Sequence, residues 1–379
     1  MAVLTLHRDR LRTNYHVLDD LFRKNGAEWS IVTKMLCGHR GFITEVLATG
    51  VPAVCDSRLS NLRMAKRLAP EVGRVYIKPP AKRYIRGVVE TAQISFNSEI
   101  RTITWLSEAA SAIGVNHGVV IMVEGGDLRE GVTNTETLLE LCEETMRLPN
   151  ITLVGIGTNF NCLSGVLPTQ EAMDRLLEQH KQVEEHIGQE LQWVTGGSSA
   201  VIPNLLRGEV PRGISHYRIG ETLYFGNDII EGSTIPGMER DVFTLESEII
   251  EIGEKPSAPS GLVQAPPSGD APVTTKHADE LSVRAIVDLG LLDVGKAEYL
   301  KPMDERISIV GASSDMLVLD ITDAPDEYVV GKTISFHVGY MATLSAMNSK
   351  YIEKRVEIAG EAPQRNRVSR AAEDPVERR

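Results

Sequence analysis

Short runs of apolar and β-branched residues alternate with longer amphipathic stretches between residues 9 and 219. The short runs predict eight strands, at residues 29–34, 51–56, 74–78, 93–97, 118–123, 151–156, 192–195 and 216–219. The amphipathic stretches, including one at residues 9–24, predict helices. Eight strand–helix units with short connections predict parallel pairing and a closed (β/α)₈ barrel. An open doubly wound sheet is the competing architecture, but no Gly-x-Gly-x-x-Gly follows the first strand, which weakens a dinucleotide-binding version of it.

The hydrophobic pattern changes after residue 240. Strand-like runs then dominate, at residues 243–252, 281–289, 306–310, 316–321, 333–338 and 351–358, and helical periodicity nearly vanishes. The sequence therefore predicts an α/β TIM barrel over residues 1–238, followed by a mainly β domain over residues 239–360. Residues 256–279 are rich in Pro, Ser and Ala and predict a flexible loop, and the charged tail at residues 361–379 predicts disorder.

Composition and charge limit the classes of partner. The chain is 42% hydrophobic and 24% charged, as is typical of a globular protein. Its formal net charge of −12 argues against nucleic acid or an anionic membrane as a partner. Neither a signal peptide nor a membrane-spanning run is predicted. The four cysteines lack metal-type spacing, so we predict no metal site and a reduced, cytoplasmic protein.

The stretch at residues 29–39 places a lysine, Lys34, at the end of the first predicted barrel strand. Burying an ammonium at the inner end of an apolar strand is costly, which biases such a lysine towards the neutral amine. A neutral amine can form a Schiff base with a carbonyl cofactor. Taken alone, the pattern fits at least as well a lysine that emerges from a core strand into solvent.

Two glycine-rich turns at the last two predicted strands favour a phosphate site. Gly196 and Gly197 precede Ser198 and Ser199 at a predicted helix start, where free backbone N–H groups and hydroxyls would cradle a phosphate. An ordinary helix N-cap is the alternative for this turn alone. A second such turn follows Arg218, and the pair matches the usual phosphate site of a barrel. A strand-end lysine and a phosphate cradle in one barrel together indicate pyridoxal 5'-phosphate.

Six short motifs resemble, in the same order, those of a known family. They lie at residues 33–38 (TKMLCG), 126–131 (GDLREG), 155–159 (GIGTN), 196–199 (GGSS), 217–221 (YRIGE) and 311–315 (GASSD). Over nearly all of residues 1–360 the chain resembles the barrel-type pyridoxal-phosphate amino-acid racemases of the alanine racemase fold, and in particular the branch that includes ornithine racemase. The resemblance implies a homodimer that interconverts L- and D-amino acids by removing and returning the Cα proton.

The resemblance also implies roles for individual residues. Lys34 resembles the lysine that holds the cofactor and acts as one acid/base, and Arg218 resembles the arginine that faces the pyridine nitrogen. Arg129, on a glycine-rich loop, resembles the arginine near the substrate carboxylate. Asn159 stands at the position that flanks the cofactor ring. The implied phosphate ligands are Ser198, Ser199 and the backbone N–H groups of Gly220 and Glu221.

The acid/base on the opposite face of the substrate has no direct counterpart. The family uses a tyrosine early in the β domain, whereas this chain has no tyrosine between Tyr224 and Tyr299. Tyr340 is the first candidate, with a core aromatic as its alternative role. Asp315 is the second candidate, because it matches the segment that meets the substrate from the partner subunit. These departures suggest a substrate other than alanine, such as ornithine, lysine or another longer amino acid.

Two other functions share the predicted barrel. A lyase of the D-threonine aldolase or D-serine dehydratase type needs a metal site in the β domain, where His277 and His337 have no cysteine nearby. A non-catalytic, cofactor-binding homeostasis protein typically lacks the β domain that this chain is predicted to have. Both are therefore ranked below the racemase.

Overall fold

The computed structural model describes residues 2–262 and 281–360. These residues form two compact units. One unit is Arg10–Arg240, and the other combines the residues before Arg10 with those after Arg240. Most of the predicted Pro-rich loop (residues 263–279) and all of the predicted tail (residues 361–379) lie outside the described residues.

The first unit contains a closed barrel of eight parallel strands that alternate with helices, which confirms the predicted (β/α)₈ architecture. The strands are β2 (Glu28–Val32), β3 (Ala53–Asp56), β4 (Gly73–Tyr76), β5 (Ile94–Asn97), β6 (His117–Met122), β7 (Ile151–Gly157), β8 (Trp193–Thr195) and β9 (His216–Ile219). The helices are α1 (Arg8–Lys24), α2 (Arg40–Leu47), α3 (Leu59–Leu68), α4 (Ile85–Thr91), α5 (Ile100–Ile113), α6 (Thr135–Met146), α7 (Gln170–Ile187), α8 (Ile202–Arg207) and α9 (Glu221–Phe225), with single 3₁₀ turns at Lys34–Leu36, Lys82–Tyr84 and Ser199–Val201. All six residues of β6 are buried, as expected of a parallel strand that is covered on both faces.

Two glycines in β7 allow β8 to lie close beside it. A Cβ on Gly155 would be 1.8 Å from the carbonyl oxygen of Trp193, and a Cβ on Gly157 would be 2.0 Å from Thr195 Cγ2. A larger residue at either position would push β8 away. The motif at residues 155–159 therefore has a packing reason as well as a functional one, since it sets the end of β7 just before Asn159.

The second unit is built on a mainly antiparallel sheet, which confirms the predicted β domain. Its strands follow the order β12-β15-β10-β11-β14-β13, with β1 beside β10 and β16 beside β1. They are β1 (Val3–His7), β10 (Phe243–Pro256), β11 (Leu281–Val287), β12 (Leu300–Pro302), β13 (Ser308–Ala312), β14 (Leu317–Asp320), β15 (Thr333–Val338) and β16 (Glu353–Glu357). The unit also contains α10 (Leu291–Val294), α11 (Tyr340–Asn348) and 3₁₀ turns at Ala297–Tyr299 and Pro325–Glu327. Among the described helices of both units, none has the length and apolar character needed to cross a bilayer.

Two parts of this unit differ from the prediction. Residues 1–9 are predicted to start the barrel domain, but β1 pairs antiparallel with β10 and parallel with β16. Five residues give too short a hydrophobic pattern to show which sheet a strand joins. Helix α11 lies where no helix is predicted, because its apolar residues surround the axis instead of following one side. Tyr340 is the first residue of that helix.

Candidate active site

The turn that carries Lys34 is held by a buried carboxylate. Thr33 follows the last residue of β2, and its hydroxyl donates a hydrogen bond to Asp56 Oδ2 at 2.8 Å. Asp56 also accepts hydrogen bonds from Asn61 Nδ2 at 3.1 Å and from the backbone N–H of Arg58 at 2.7 Å. Burial raises the pKa of Asp56, and these donors oppose the rise. The neighbouring strand β3 thus determines where the Lys34 turn begins.

The chain leaves Lys34 through a left-handed turn. Cys37 has a φ of +48° and Gly38 a φ of +71°. A Cβ on Gly38 would lie 2.9 Å from Asn61 Oδ1, so both the backbone and the available space favour glycine. The Lys34 side chain is exposed, so of the two readings of this stretch the structure shows the lysine that emerges from a core strand, not one buried at its inner end. Strand β2 stops at Val32, two residues earlier, and the lysine reaches a cavity.

The cavity has a volume of about 350 Å³ and is lined mainly by residues at or just beyond the ends of the barrel strands. Its lining residues are Val32, Lys34, Ser57, Ile77, Lys78, Pro79, Phe96, Met122, Arg129, Glu130, Asn159, Cys162, Ser198 and Arg218. Five residues that the sequence nominates for a site are therefore brought together here: Lys34, Arg129, Asn159, Ser198 and Arg218. Closure of the barrel is what makes them neighbours, since four of them follow β2, β6, β7 and β8 and Arg218 lies on β9.

The wall of the cavity carries an excess of positive charge. Lys34, Lys78, Arg129 and Arg218 contribute positive charge, and Glu130 contributes the one carboxylate among the lining residues. The Glu130 carboxylate accepts one hydrogen bond from Nη2 of the adjacent Arg129 at 2.5 Å and a second from its Nε. A wall with this excess of cations suits an anionic ligand, such as a phosphate or a carboxylate.

Arg218 is buried, with 4% of its surface exposed, and reaches the cavity from β9. Its Nη1 donates to the Thr195 hydroxyl. Its Nη2 donates to the Thr158 carbonyl at 2.8 Å and to Asn159 Oδ1 at 3.3 Å. The guanidinium carbon lies 4.9 Å from the centre of the Phe96 ring. Burial lowers the pKa of Arg218 to about 10, which still leaves the side chain charged at neutral pH.

The turn expected to bind phosphate joins β8 to the following 3₁₀ turn. Gly197 has a φ of +115°, a conformation that suits glycine. Ser198 lines the cavity, whereas Ser199 is buried. Ser199 Oγ accepts a hydrogen bond from the backbone N–H of Thr222 at 3.2 Å. This bond connects the turn to the first residues of α9.

Gly220 and Glu221 lead from β9 into α9, and neither belongs to the lining of the cavity. A Cβ on Gly220 would be 3.2 Å from the Cβ of Val32, so the backbone passes close to β2 here. Burial raises the pKa of Glu221, and the positive charge of Lys34 opposes that rise. Glu221 therefore lies close enough to Lys34 for the two charges to interact.

Two carboxylates organise the loops at the rim of the cavity. Glu124 accepts hydrogen bonds from the backbone N–H groups of Gly126 at 2.6 Å and Arg129 at 3.2 Å. Asp127 is buried and accepts hydrogen bonds from the N–H groups of residues 162–164, at 3.0, 2.9 and 2.9 Å. The loop that carries Arg129 is thereby joined to the loop that carries Cys162.

The two candidates for the second acid/base belong to the β unit. Asp315 is exposed on the turn between β13 and β14. That turn is held at the start of α10, because the backbone N–H groups of Leu291 and Leu292 donate to the carbonyls of Ser313 and Ser314 at 3.0 and 2.9 Å. Tyr340 is partly buried at the start of α11. Across the described ranges, no group of three or more His, Cys, Asp or Glu side chains is arranged to hold a metal ion.

Several cavity residues carry no role in the prediction from sequence. Phe96 is the residue before the last residue of β5, and its ring belongs to the barrel core although it also contacts Arg218. Glu130 directly follows Arg129 in the GDLREG motif, and this position next to a candidate site residue could have identified it from the sequence. Cys162 enters the cavity only through the contact between the two rim loops, which no local pattern reveals.

Comparison with known proteins supports the resemblance. The family described as alanine racemase, N-terminal domain, matches residues 6–228. The chain is 35% identical to an ornithine racemase of Acetoanaerobium sticklandii over 353 residues, which are 93% of this chain and 99% of that protein. It is 30% identical to a lysine racemase of Thermotoga maritima over 351 residues, covering 93% of this chain and 97% of that protein.

Solved structures show the same fold. An alanine racemase of Clostridium difficile 630 superposes with a TM-score of 0.76 at 16% identity, over 95% of this chain and 96% of that one. An alanine racemase of Bartonella henselae with covalently bound pyridoxal phosphate superposes with a TM-score of 0.73 at 15% identity, over 94% and 99% of the two chains. At these identities the structural likeness concerns the fold alone.

Proposed function

The chain belongs to the alanine racemase family, which it matches through that family's N-terminal domain, and on this premise we propose that it is an amino-acid racemase that uses pyridoxal 5'-phosphate. The observation that carries the proposal is that Lys34 and Arg218 line one cavity at the carboxyl ends of the barrel strands. Relatives at 35% and 30% identity over nearly the whole chain are named as racemases, which supports the reaction class.

The residues at the cavity fit this cofactor. Its volume of about 350 Å³ falls within the range of small-ligand pockets, about 300–1,000 Å³. Four cationic side chains line the wall, and the cofactor phosphate and a substrate carboxylate both need positive partners. The serine hydroxyls and the backbone N–H groups at the starts of two helical turns supply further donors.

Each residue then has a definite task. Bound pyridoxal phosphate supplies an electron sink that makes the substrate Cα–H acidic. Lys34 would hold the cofactor through its amine and move the Cα proton on one face. Arg129 would bind the substrate carboxylate from the rim loop, and Asn159 would flank the cofactor ring. The ligands assigned to the phosphate are Ser198, Ser199 and the backbone N–H groups of Gly220 and Glu221.

Arg218 would face the pyridine nitrogen. An arginine carries five N–H hydrogens, and three of those on Arg218 are donated to Thr195, Thr158 and Asn159. The two that remain have no acceptor within the part of the chain that the structure describes, so they are available to a ligand in the cavity. A guanidinium donor keeps the ring nitrogen unprotonated, which limits electron withdrawal and favours simple proton return.

We assign the second proton transfer to a group from a partner subunit, with the partner subunit's Tyr340 and the partner subunit's Asp315 as candidates. Exposed apolar side chains support a homodimer. Leu292 and Met316 surround the Asp315 turn with 74% and 39% of their surfaces exposed. Leu128 and Leu163, on the rim loops, are 73% and 65% exposed. Such apolar surface is typical of a contact between subunits.

The proposed substrate is a longer amino acid, with ornithine and lysine first because the two relatives are named for them. A cytoplasmic location is also proposed. All four cysteines are free thiols, as expected in a reducing compartment.

Single L-amino acids in D₂O test the function directly. We expect L-ornithine or L-lysine to lose the Cα–H signal in proton NMR while the D-isomer accumulates towards an equal mixture. L-Alanine and L-glutamate serve as comparison substrates. Exchange of Cα–H without any D-isomer contradicts racemisation, and a protein that stays colourless with added pyridoxal phosphate contradicts the cofactor assignment.

A further inference from the structure

His216 is a buried histidine that the proposed reaction does not use. It lies on β9, two residues before Arg218, so both side chains project from the same face of the strand. Only 1% of its surface is exposed. Its ring is stacked on the Trp193 ring, with centroids 4.0 Å apart and planes within 7° of parallel. Both ring nitrogens have hydrogen-bond partners.

The partners of His216 form a chain that leads to Arg218. His216 Nδ1 lies 3.1 Å from the Thr195 hydroxyl, and the same hydroxyl accepts a hydrogen bond from Arg218 Nη1. His216 Nε2 lies 2.9 Å from the Ser30 hydroxyl. The chain therefore joins three barrel strands, from β8 and β9 to β2.

The direction of these bonds follows from the arginine. A guanidinium can only donate, so the Thr195 oxygen must be the acceptor for Arg218. Among the described residues, His216 Nδ1 is the acceptor within reach of the Thr195 hydroxyl hydrogen, and it can accept that hydrogen when it is unprotonated. His216 Nε2 carries the ring hydrogen and donates it to Ser30. The geometry thus selects one tautomer of a neutral imidazole.

A positive charge on His216 would disrupt this arrangement. Protonation of Nδ1 would leave the hydrogen of the Thr195 hydroxyl without an acceptor among the described residues. Burial, and then the nearby charge of Arg218, hold the pKa of His216 well below its usual value. Burial likewise raises the pKa of Cys55, on the neighbouring strand β3, to about 12.

We propose that His216 is a positioning residue, which fixes the orientation of the Arg218 guanidinium through the Thr195 hydroxyl and so aims its two remaining N–H groups at the cavity. Arg218 has backbone and amide acceptors on its Nη2 side, but within the described part of the chain Thr195 is its single partner on Nη1. Without an acceptor for its own hydrogen, the Thr195 hydroxyl could rotate and release that side of the guanidinium.

The barrel contains a matched comparison in His117. This histidine is also 1% exposed, and its Nε2 lies 2.8 Å from the Ser95 hydroxyl on a neighbouring strand. His117 makes no bond to Arg218 or Thr195. It therefore controls for the loss of a buried Ser–His pair.

The first experiment needs no cofactor. Long-range ¹H–¹⁵N NMR of histidine-labelled protein at neutral pH reports the tautomer of each ring, with His216→Asn and His117→Asn to assign the signals. We expect hydrogen on Nε2 of His216. A charged His216, or one with its hydrogen on Nδ1, overturns the inference.

The second experiment measures the consequence, which rests on the proposed function. Pyridoxal-phosphate affinity and the pH dependence of the bound absorbance spectrum are compared for His216→Leu, Thr195→Val and the control His117→Leu. We expect affinity to fall about tenfold and the spectrum to change in the first two, as for a lost bond to a charged group. The control is expected to lose folding stability only.

Conservative variants separate positioning from general damage. In His216→Asn, Oδ1 stands near the position of Nδ1 and can accept from Thr195, and Thr195→Ser keeps the hydroxyl. Both are expected to retain most of the affinity. Equal affinity in all variants, or an equal loss in His117→Leu, overturns the inference while leaving the proposed function intact. If wild-type protein binds no pyridoxal phosphate, the proposed function fails, and the NMR result still decides the tautomer.

Discussion

The carboxylate of Asp127 accepts a hydrogen bond from the backbone N–H of Ser164 at 2.9 Å, and it thereby holds one rim loop of the cavity against the other. The Ser164 hydroxyl returns a bond to the Asp127 carbonyl, also at 2.9 Å. Burial alone would raise the pKa of Asp127, but the backbone donors outweigh it and lower the pKa overall. The ionised carboxylate therefore stabilises the loop that presents Arg129.

Asp127→Asn is expected to destabilise the protein by about 1–3 kcal/mol, because it replaces an ionised acceptor of several N–H groups. The pKa of Asp127 is lowered in the folded state, so its contribution is present above the unfolded pKa of about 3.9. The difference between wild type and variant should shrink as pH falls through the lowered pKa. Urea unfolding at a series of pH values measures it.

The same substitution should also raise KM for the amino acid, since Arg129 would be less well placed. Asp228→Asn is the matched control, because Asp228 is a buried loop carboxylate that accepts from the N–H groups of Ile230 and Glu231 at 2.7 and 3.1 Å. Asp228 does not line the cavity. A similar rise in KM for both variants would show that general loosening, not the rim loop, is responsible.

Lys34→Ala is expected to abolish the visible absorbance of protein-bound pyridoxal phosphate and to lower the racemisation rate about 10²–10⁴-fold. The amine is the group that would hold the cofactor and transfer one proton. Spectra of dialysed protein and chiral chromatography measure the two effects. Lys78→Ala removes a second lysine from the same cavity and should keep the absorbance. Persistence of the band in Lys34→Ala would place the covalent bond elsewhere.

His117 makes the folding stability pH-dependent. Burial lowers its pKa to about 4, so between about pH 6.5 and pH 4 the unfolded chain binds a proton that the folded chain does not. Stability must then fall as pH falls through this window, by about 2 kcal/mol between pH 7.5 and pH 5 from this residue. His117→Gln should give a shallower curve of unfolding free energy against pH. Parallel curves would mean that His117 titrates normally in the folded state.

Mixed dimers test whether the second acid/base comes from the partner subunit. Lys34→Ala and Asp315→Ala protein, each inactive alone, are unfolded together and refolded. If Asp315 acts across the dimer, half of the dimers are mixed and one of their two sites has neither defect, so about a quarter of wild-type activity returns. Tyr340→Phe is mixed with Lys34→Ala in the same way.

The controls for this experiment are internal. Full activity of Asp315→Ala or Tyr340→Phe alone removes that residue from the candidates. No recovery on mixing, in a preparation shown to be dimeric by native mass spectrometry, would assign the inactive residue to its own subunit's site. A monomeric protein would contradict the proposed assembly.

The alternation of apolar and polar positions was sufficient to predict the eight strand–helix units and to place Lys34, Arg129 and Arg218 at strand ends. Such periodicity is local, because a strand or helix shows its buried side within a few residues. The same locality explains the errors. Val3–His7 is too short to reveal its sheet, and Tyr340–Asn348 is apolar on all sides and shows no helical stripe.

What the tertiary structure decided is which strand ends meet. Barrel closure sets β9 between β8 and β2, and only then do Thr195 and Ser30 lie on either side of His216. The tertiary structure also joins Ser199 to α9 through a hydrogen bond, whereas Ser198 lines the cavity. These contacts join residues more than 20 positions apart, where no periodic pattern carries information. The amino-acid sequence therefore determined the chemistry available at the barrel ends, and the closed sheet decided how that chemistry is oriented.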